Sequence, residues 1–518
     1  MLTQATTWQI PNGATTLDAA LRGWAERAPD LPALRHTTEE WSYARLDDAV
    51  SRVAGALQTR GVSPGDRVVL VGHNSTAWVI LYLATLRAGA IIAPANNRLS
   101  PGQFKEQCEL LGAALVLHDT EHHPLVSELN GSVFSVCDAQ VFVDTALAQS
   151  AKPVGEPPVP SDTALISFTS GTTGAPKGAM LTHEALLRGS AVFAEYMEST
   201  QDDSTTVLVP LFHNTGFVDQ LGHMLVVGGC TNLLTRYKTA AAVAEFAERP
   251  TTFITAVPSI LRLLMVADGA DHVYGTARTV LFGGSPMPEA WSAELRSRWP
   301  QLRLVHGYGL TEFTSACTLL PHELVAECGE SVGFPAPGVR MRLVDEEERP
   351  VPVGVTGEVQ VAGATRMLGY WAAPELTAGK LSGEWLRTGD LGHLDDRSLL
   401  WLDGRVDDVI NRGGEKVLPA FVEACIAELP AVAESSVFGA PDPVLQYRVA
   451  AAVLLRPGHV FDEDAARAHL ASRLPDYAVP ERWVVREELP RTASGKVDRR
   501  EVLRQFMTHV TAGSREEQ

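Results

Sequence analysis

The sequence predicts an α/β protein, with a large N-terminal domain of stacked α/β sheets that includes a β-rich subdomain and a small α+β C-terminal domain. Three observations carry this. Short apolar strands alternate with helical stretches from Thr16 to about Glu312, the pattern turns β-rich from Gly338, and the spacing becomes small α+β after Asp403. At 518 residues the chain is also too long for one hydrophobic core.

Taken in order, strands are expected at Arg67 to Val71, Ala90 to Ala93, Ala114 to Leu117, Ala164 to Phe168, Thr206 to Val209, Thr252 to Ala256, Thr279 to Phe282 and Leu302 to Val305, with helices between them. The β-rich stretch supplies Val339 to Val344, Gly357 to Val361 and Leu399 to Leu402. The last part reads as a helix from Pro419 to Leu429, strands at Ser435 to Phe438 and Val449 to Leu455, a helix from Asp462 to Leu474 and a closing helix after Gly495. Between Ala77 and Pro94 the chain is strongly apolar, but Arg87 and Gly89 divide it into a helix and a buried strand, so no membrane span is expected.

Composition narrows the function. Apolar residues are 45% and charged residues 20%, the balance of a soluble globular protein. A net charge of −19 without a basic block argues against nucleic-acid binding, which rests on clustered Lys and Arg. The six cysteines are scattered, without a C-x-x-C pair or clustered histidines, so reduced thiols are expected rather than disulfides or a zinc site. Residues 1–13 lack a basic stretch followed by an apolar run, so no secretory signal is visible and a cytoplasmic enzyme is expected. His122 and His123 invite a metal reading, but a polar turn from Asp119 to Pro124 accounts for them.

The most informative segment is Thr169-Ser170-Gly171-Thr172-Thr173-Gly174-Ala175-Pro176-Lys177-Gly178, between the strand ending at Phe168 and a helix starting near Thr182 and His183. Its glycines allow a tight turn with N–H groups facing inward, its hydroxyls add donors and Lys177 adds positive charge, a combination suited to a polyphosphate. A flexible linker would seldom join a strand to a helix with a Pro-Lys-Gly end. The P-loop pattern G-x-x-x-x-G-K-[ST] fails because Lys177 follows Pro176 and precedes Gly178.

This segment, with Tyr308-Gly309-Leu310-Thr311-Glu312, Thr388-Gly389-Asp390, Arg405 and Pro490 to Lys496, resembles the adenylate-forming superfamily of acyl-CoA synthetases, nonribosomal-peptide adenylation domains and luciferases over nearly the whole chain. The resemblance implies that Thr169, Ser170, Gly171, Thr172, Thr173, Gly174 and Lys177 hold the β- and γ-phosphates of ATP. It further implies that Tyr308 stacks on adenine, Thr311 bonds the α-phosphate, Glu312 coordinates Mg2+, Asp390 takes the ribose hydroxyls and Arg405 reaches the ribose or phosphate. Lys496 would bridge the substrate carboxylate and phosphate. Such enzymes bring anions together, and a divalent ion offsets that repulsion.

The same resemblance implies three segments: an adenylation domain over residues 1–403, a hinge over 404–408 with Asp407 as pivot, and a mobile domain over 409–518. Rotation would withdraw Lys496 and present Gly414, which permits close passage of the pantetheine arm of coenzyme A. Where the family has Pro-x-Glu-hydrophobic-Glu, the chain reads Pro419-Ala420-Phe421-Val422-Glu423, and Phe421 is expected to pack.

Pro210 to Phe217 resembles the aryl- and acyl-CoA ligases, in which His213 would line the path between acid and thiol. His213, Asn214, Gly216, Gly283, Gly284, His306 and Gly307 are the expected acid-pocket positions, and His306 stands where relatives carry an amide. Phe217-Val218 offers no carboxylate for a substrate ammonium, which disfavours α-amino acids. The expected reaction joins a small-molecule carboxylic acid to coenzyme A through acyl-AMP. Loading a carrier protein, or catalysis of one half-reaction, is the alternative within the family. A non-enzymatic binder would not need Lys177, Glu312, Asp390, Arg405 and Lys496 together, whereas a luciferase-like oxygenase would share all five.

Overall fold

The computed structural model describes residues 2–3, 10, 13–129, 135–149, 152–153, 155–169, 176–285, 287–412, 415–442, 444–491 and 497–513. They form two compact units: Met1–Arg342 with Gln360–Thr388, and Leu343–Val359 with Gly389–Gln518. The boundaries fall inside the strands Arg340–Val344, Gly357–Ala362 and Trp385–Leu394.

The first unit contains two sheets. One runs, in spatial order, Gly369–Tyr370, Lys177–Thr182, Thr163–Thr169, Ile91–Pro94, Arg67–Val71, Leu115–His118 and Ser135–Asp138. Its strands from Thr163–Thr169 to Ser135–Asp138 are parallel. Val69, Val71, Ile91, Val116 and Ile166 supply their buried faces against Phe104, Cys108 and Leu111 of the helix Pro101–Leu111. The other sheet is centred on the parallel strands Ser204–Val207, Phe253–Ala256, Thr279–Gly283 and Arg303–Gly309. Antiparallel Ala316–Leu320 continues from Arg303–Gly309 and returns the chain along it.

The helix expected between Ala77 and the strand Ile91–Pro94 is Thr76–Arg87, and all of its residues are buried. Such an all-round apolar helix belongs in a core. Its one charge, Arg87, is neutralised there by Asp18 and Asp47, each at 2.6 Å. Among the described residues no helix is long and apolar enough to cross a membrane. All six cysteines are free, and Cys108, Cys230, Cys317 and Cys328 are buried.

In the second unit, Gln446–Leu455 pairs antiparallel with Val432–Asp442 and parallel with Arg482–Arg486. Val422 and Ile426 of the helix Pro419–Ala427 pack with Val437, Val449, Ala451 and Leu470. Phe438 packs with Val502 and Phe506 of the closing helix Arg499–Gly513. Phe421 does not pack: it is 46% exposed, because the inward positions of its helix are taken by Val422 and Ile426. The turn expected at Asp119 to Pro124 is a 3-10 helix, Thr120–His122, running directly into the helix His123–Val126.

Candidate active site

The phosphate segment is the connection of a hairpin. Thr163–Thr169 pairs antiparallel with Lys177–Thr182, and Thr169 sits opposite Lys177. The helix His183–Tyr196 does begin where expected, with the Thr182 hydroxyl accepting the Ala185 N–H at 3.0 Å, but an unexpected strand precedes it. Long-range pairing recruits this Lys-Gly-Ala-Met-Leu-Thr segment, which carries little β-branched signal of its own. Gly178 is required by this pairing, since a Cβ there would lie 2.6 Å from Ile166 Cγ2. Ser170, Gly171, Thr172, Thr173 and Gly174 lie outside the described residues.

On its other edge Lys177–Thr182 pairs with Gly369–Tyr370. Leu368 N–H donates to Met180 C=O at 2.9 Å and Trp371 N–H to Gly178 C=O at 2.7 Å. This edge strand delivers Tyr370 to the site. Lys177 Nζ stands 6.0 Å from the centre of its ring, and its hydroxyl donates to Glu312 Oε1 at 2.7 Å. Two expected phosphate-site residues, 135 positions apart in the chain by their numbers, therefore meet through a third that the sequence motifs did not mark.

Tyr308 and Gly309 end the strand Arg303–Gly309, and Thr311 to Phe313 form one 3-10 turn. The turn is closed by Leu310 N–H donating to Ser315 C=O at 3.2 Å and held from outside by Met367 N–H donating to Glu312 C=O at 2.8 Å. Gly309 lies so close to Ser315 that a Cβ would fall 2.0 Å from its carbonyl oxygen. Thr314 has φ +66°, a conformation a β-branched residue adopts only where its surroundings enforce it. They do: its hydroxyl donates to Thr365 C=O at 2.7 Å and its carbonyl accepts the Asn214 amide at 2.5 Å.

Asn214 also faces Ser167, whose hydroxyl donates to its Oδ1 at 3.0 Å. It precedes a π-helix, Thr215–Gly222, a form that recurs at functional sites. His213 lies against Phe212 with ring centres 4.2 Å apart. Burial, with Arg98 adding to it, pulls its imidazole down to about 4, so it is neutral at physiological pH. Asp219 is buried on the π-helix and accepts the Ser315 hydroxyl. Burial pushes its carboxyl up to about 7, against the pull of that hydrogen bond.

Gly283 and Gly307 sit opposite each other on parallel strands, and a Cβ on Gly283 would lie 2.5 Å from Gly307 C=O. Gly284 follows with φ +77°. His306 stacks on Phe282, centroids 4.7 Å apart at 14°, and its Nδ1 is 2.9 Å from Ser331 C=O. Its ring is thus engaged in the core. Gly216 lies where a Cβ would be 3.0 Å from Leu211 Cα.

The second unit holds Asp390 opposite Arg405 on a hairpin, with the carboxylate 3.4 Å from the guanidinium. Asp407 is exposed in the 3-10 turn Val406–Asp408. Its neighbour Asp408 pairs with Arg499, which also grips Glu423 at 2.8 and 3.0 Å. Burial raises the Glu423 carboxyl even though Arg499 and the Val437 N–H, at 2.7 Å, pull it down. Gly414 and Lys496 lie outside the described residues. Asp219, Ser315 and Tyr370 in the first unit are site-side residues that the sequence motifs do not mark, and in the second unit the motifs likewise do not mark Arg499 beside Asp408.

The AMP-binding enzyme family matches residues 21–371, and the AMP-binding enzyme C-terminal domain matches residues 422–496. The chain belongs to the AMP-binding enzyme family. This adenylate-forming enzyme is 33% identical over 488 residues to a feruloyl-CoA synthase of Amycolatopsis sp, covering 93% of this chain and 97% of the relative. It is 29% identical over 511 residues to the fatty acid–[acyl-carrier-protein] ligase ScoC of Streptomyces coeruleorubidus, covering 93% and 95% of the two chains. Among solved structures, ATP-bound MatB from Rhodopseudomonas palustris superposes with a TM-score of 0.85 at 28% identity, covering 95% of this chain and 98% of that one.

Proposed function

We propose that this AMP-binding enzyme is an ATP-dependent carboxylic acid:CoA ligase acting on an acid with an uncharged tail. The acid's carboxylate attacks the α-phosphorus of ATP, forming the acyl–phosphate bond while the bond to pyrophosphate breaks. The CoA thiol then displaces AMP and yields acyl-CoA. One observation carries the reading: Tyr370 joins the phosphate-side Lys177 to the carboxylate of Glu312 within one unit. The relatives' activities support the ligation itself.

Within this reading, Thr169 to Lys177 cradle the terminal phosphates, Thr311 takes the α-phosphate and Tyr308 the adenine. Asp390 and Arg405 serve the ribose side, and Lys496 bridges carboxylate and phosphate. Glu312 fits a magnesium ion: it is a hard oxygen donor, half-buried, whose Oε1 takes one hydroxyl hydrogen bond and leaves its other oxygen for a cation. When bound, that ion offsets the negative charge gathered at the phosphates. The segments 1–403, 404–408 and 409–518 act as adenylation domain, hinge and mobile domain, with Asp407 as pivot and Gly414 at the pantetheine path.

The uncharged tail is supported by the neutral state of His213 and by Asp219, which is buried, has its carboxyl pushed up to about 7 and accepts the Ser315 hydroxyl rather than a substrate ammonium. Gly284, where a Cβ would have only Val257 Cγ1 within 4 Å, leaves width for a ring or branched chain, whereas Gly283 is needed for the close approach of Gly307. The free cysteines and acidic composition support a cytoplasmic enzyme. Likeness to ScoC makes carrier-protein loading the second reading. Purified enzyme incubated with ATP, magnesium and aryl, alicyclic or aliphatic acids, with CoA or a phosphopantetheinylated carrier, separates the two by which thioester forms. Pyrophosphate release without any CoA thioester would sink the first.

A further inference from the structure

Two histidines and an aspartate from separate parts of the chain meet at one edge of the seven-stranded sheet. Arg67–Val71 and Leu115–His118 pair in parallel with Val71 opposite His118, so His73 and Asp119 to His122, which follow them, emerge at the same end. The sheet changes its winding here, because Ile91–Pro94 flanks Arg67–Val71 on one side and Leu115–His118 on the other. Such a switch point opens a crevice beyond the carboxyl ends of the strands, a habitual place for ligands.

One ligand atom from each of His73, Asp119 and His122 lies within 4.8 Å of the others. His122 Nδ1 is 2.6 Å from Asp119 Oδ1, and the His73 and His122 rings meet edge to face with centroids 4.6 Å apart. The carboxylate is fixed from behind by the main-chain N–H groups of His73 at 2.8 Å and His122 at 2.9 Å. Glu121 stands beside them, 3.0 Å from His73 Nε2, and also pairs with Arg236. His123 takes no part; its ring lies by His118 at 5.2 Å.

We propose that His73, Asp119 and His122 bind one divalent transition-metal ion of the zinc class, with Glu121 as an adjacent carboxylate. Two imidazoles and a carboxylate leave a fourth position open, and this nitrogen–oxygen set favours zinc, cobalt or nickel over magnesium or calcium. Ligand atoms on a tetrahedral zinc sit about 3.3 Å apart, given bonds of about 2.0–2.2 Å. The 2.6 Å between His122 Nδ1 and Asp119 Oδ1 and the 4.8 Å limit on the cluster's ligand atoms bracket that spacing. Binding replaces the His122–Asp119 hydrogen bond and clamps together the loops that follow two neighbouring strands. None of the three residues is among the expected adenylation positions, although the neighbouring Asn74 accepts the Leu211 N–H at 2.7 Å, and the proposal does not depend on the proposed reaction.

The test uses the full-length protein, stripped by a chelator and titrated with zinc by calorimetry and with cobalt by visible absorption. The wild type is expected to take up one equivalent with a four-coordinate cobalt spectrum and to melt at higher temperature with zinc. His73→Gln and His122→Gln are each expected to bind at least roughly tenfold more weakly, while their metal-free melting and magnesium-supported pyrophosphate release stay unchanged. If either variant unfolds, the other decides. No saturable equivalent in the wild type, or equal binding by wild type and a folded histidine variant, overturns the proposal.

Discussion

The Tyr370 hydroxyl donates to Glu312 Oε1 at 2.7 Å, fixing a carboxylate that half-faces solvent in one orientation. A hydrogen bond to a charged group contributes about 1.5–3 kcal/mol. Tyr370→Phe is therefore expected to slow acid-dependent ATP–pyrophosphate exchange by roughly 10- to 100-fold and to raise the magnesium concentration needed for half-maximal rate. Exchange measured across a magnesium series checks this, and an unaltered magnesium dependence would remove Tyr370 from the site.

Lys496→Ala is expected to abolish formation of acyl-AMP while sparing conversion of synthetic acyl-AMP to the thioester, because the rotating-domain mechanism assigns the two steps to different faces of the C-terminal domain. Single-turnover assays of each half-reaction read this directly. Equal loss of both steps contradicts the mechanism.

Asp219 predicts a pH effect with a definite sign. Its folded value of about 7 lies above the ordinary carboxyl value, so the folded chain holds the proton more tightly and stability falls as pH rises towards and through 7. His183, His213 and His223 act oppositely: burial lowers them to about 4, 4 and 3, and their contribution disappears as pH falls below the ordinary imidazole value. Comparing Asp219→Asn with the wild type isolates the first effect. The variant should gain on the wild type between about pH 5 and about pH 8, by an amount on the order of a few kcal/mol. Urea unfolding at both ends of that range checks it; parallel pH curves for the two proteins would refute it.

Arg499 holds the largely buried Glu423 and, at the same time, Asp408 of the expected hinge. Arg499→Gln leaves Glu423 without its cation and should destabilise the second unit by about 1–3 kcal/mol. Adding Glu423→Gln should restore part of the loss. Hydrogen exchange at the Val437 amide, which donates to Glu423, reports the change locally. An additive double mutant would show that the pair is not coupled.

The parts of this fold with local signals were legible in the sequence. Val68 to Val71 is a continuous apolar run in the strand Arg67–Val71, and Thr182 announces its helix by its capping hydroxyl. Features that depend on distant partners were not. The strand Lys177–Thr182 exists because Thr163–Thr169 and Gly369–Tyr370 lie on either side of it. Phe421 was expected to pack because it is apolar, but helical phase gives the inward positions to its neighbours. Tyr370 has no motif of its own and becomes visible only when its edge strand brings it to Glu312. His122 read as part of a turn until His73 arrived from another strand end.

The Asn214 side chain has a further consequence for engineering. One end of its amide meets Ser167, on the strand leading to the glycine-rich segment, and the other meets Thr314, just past Glu312. Under the proposed assignment of the acid pocket and phosphate segment, recutting the pocket at this position would loosen the nucleotide's supports together with the organic substrate's. Selectivity and ATP affinity would then be tied to one another through Asn214, and library designs that leave it untouched would have the wider freedom to change the first without damaging the second.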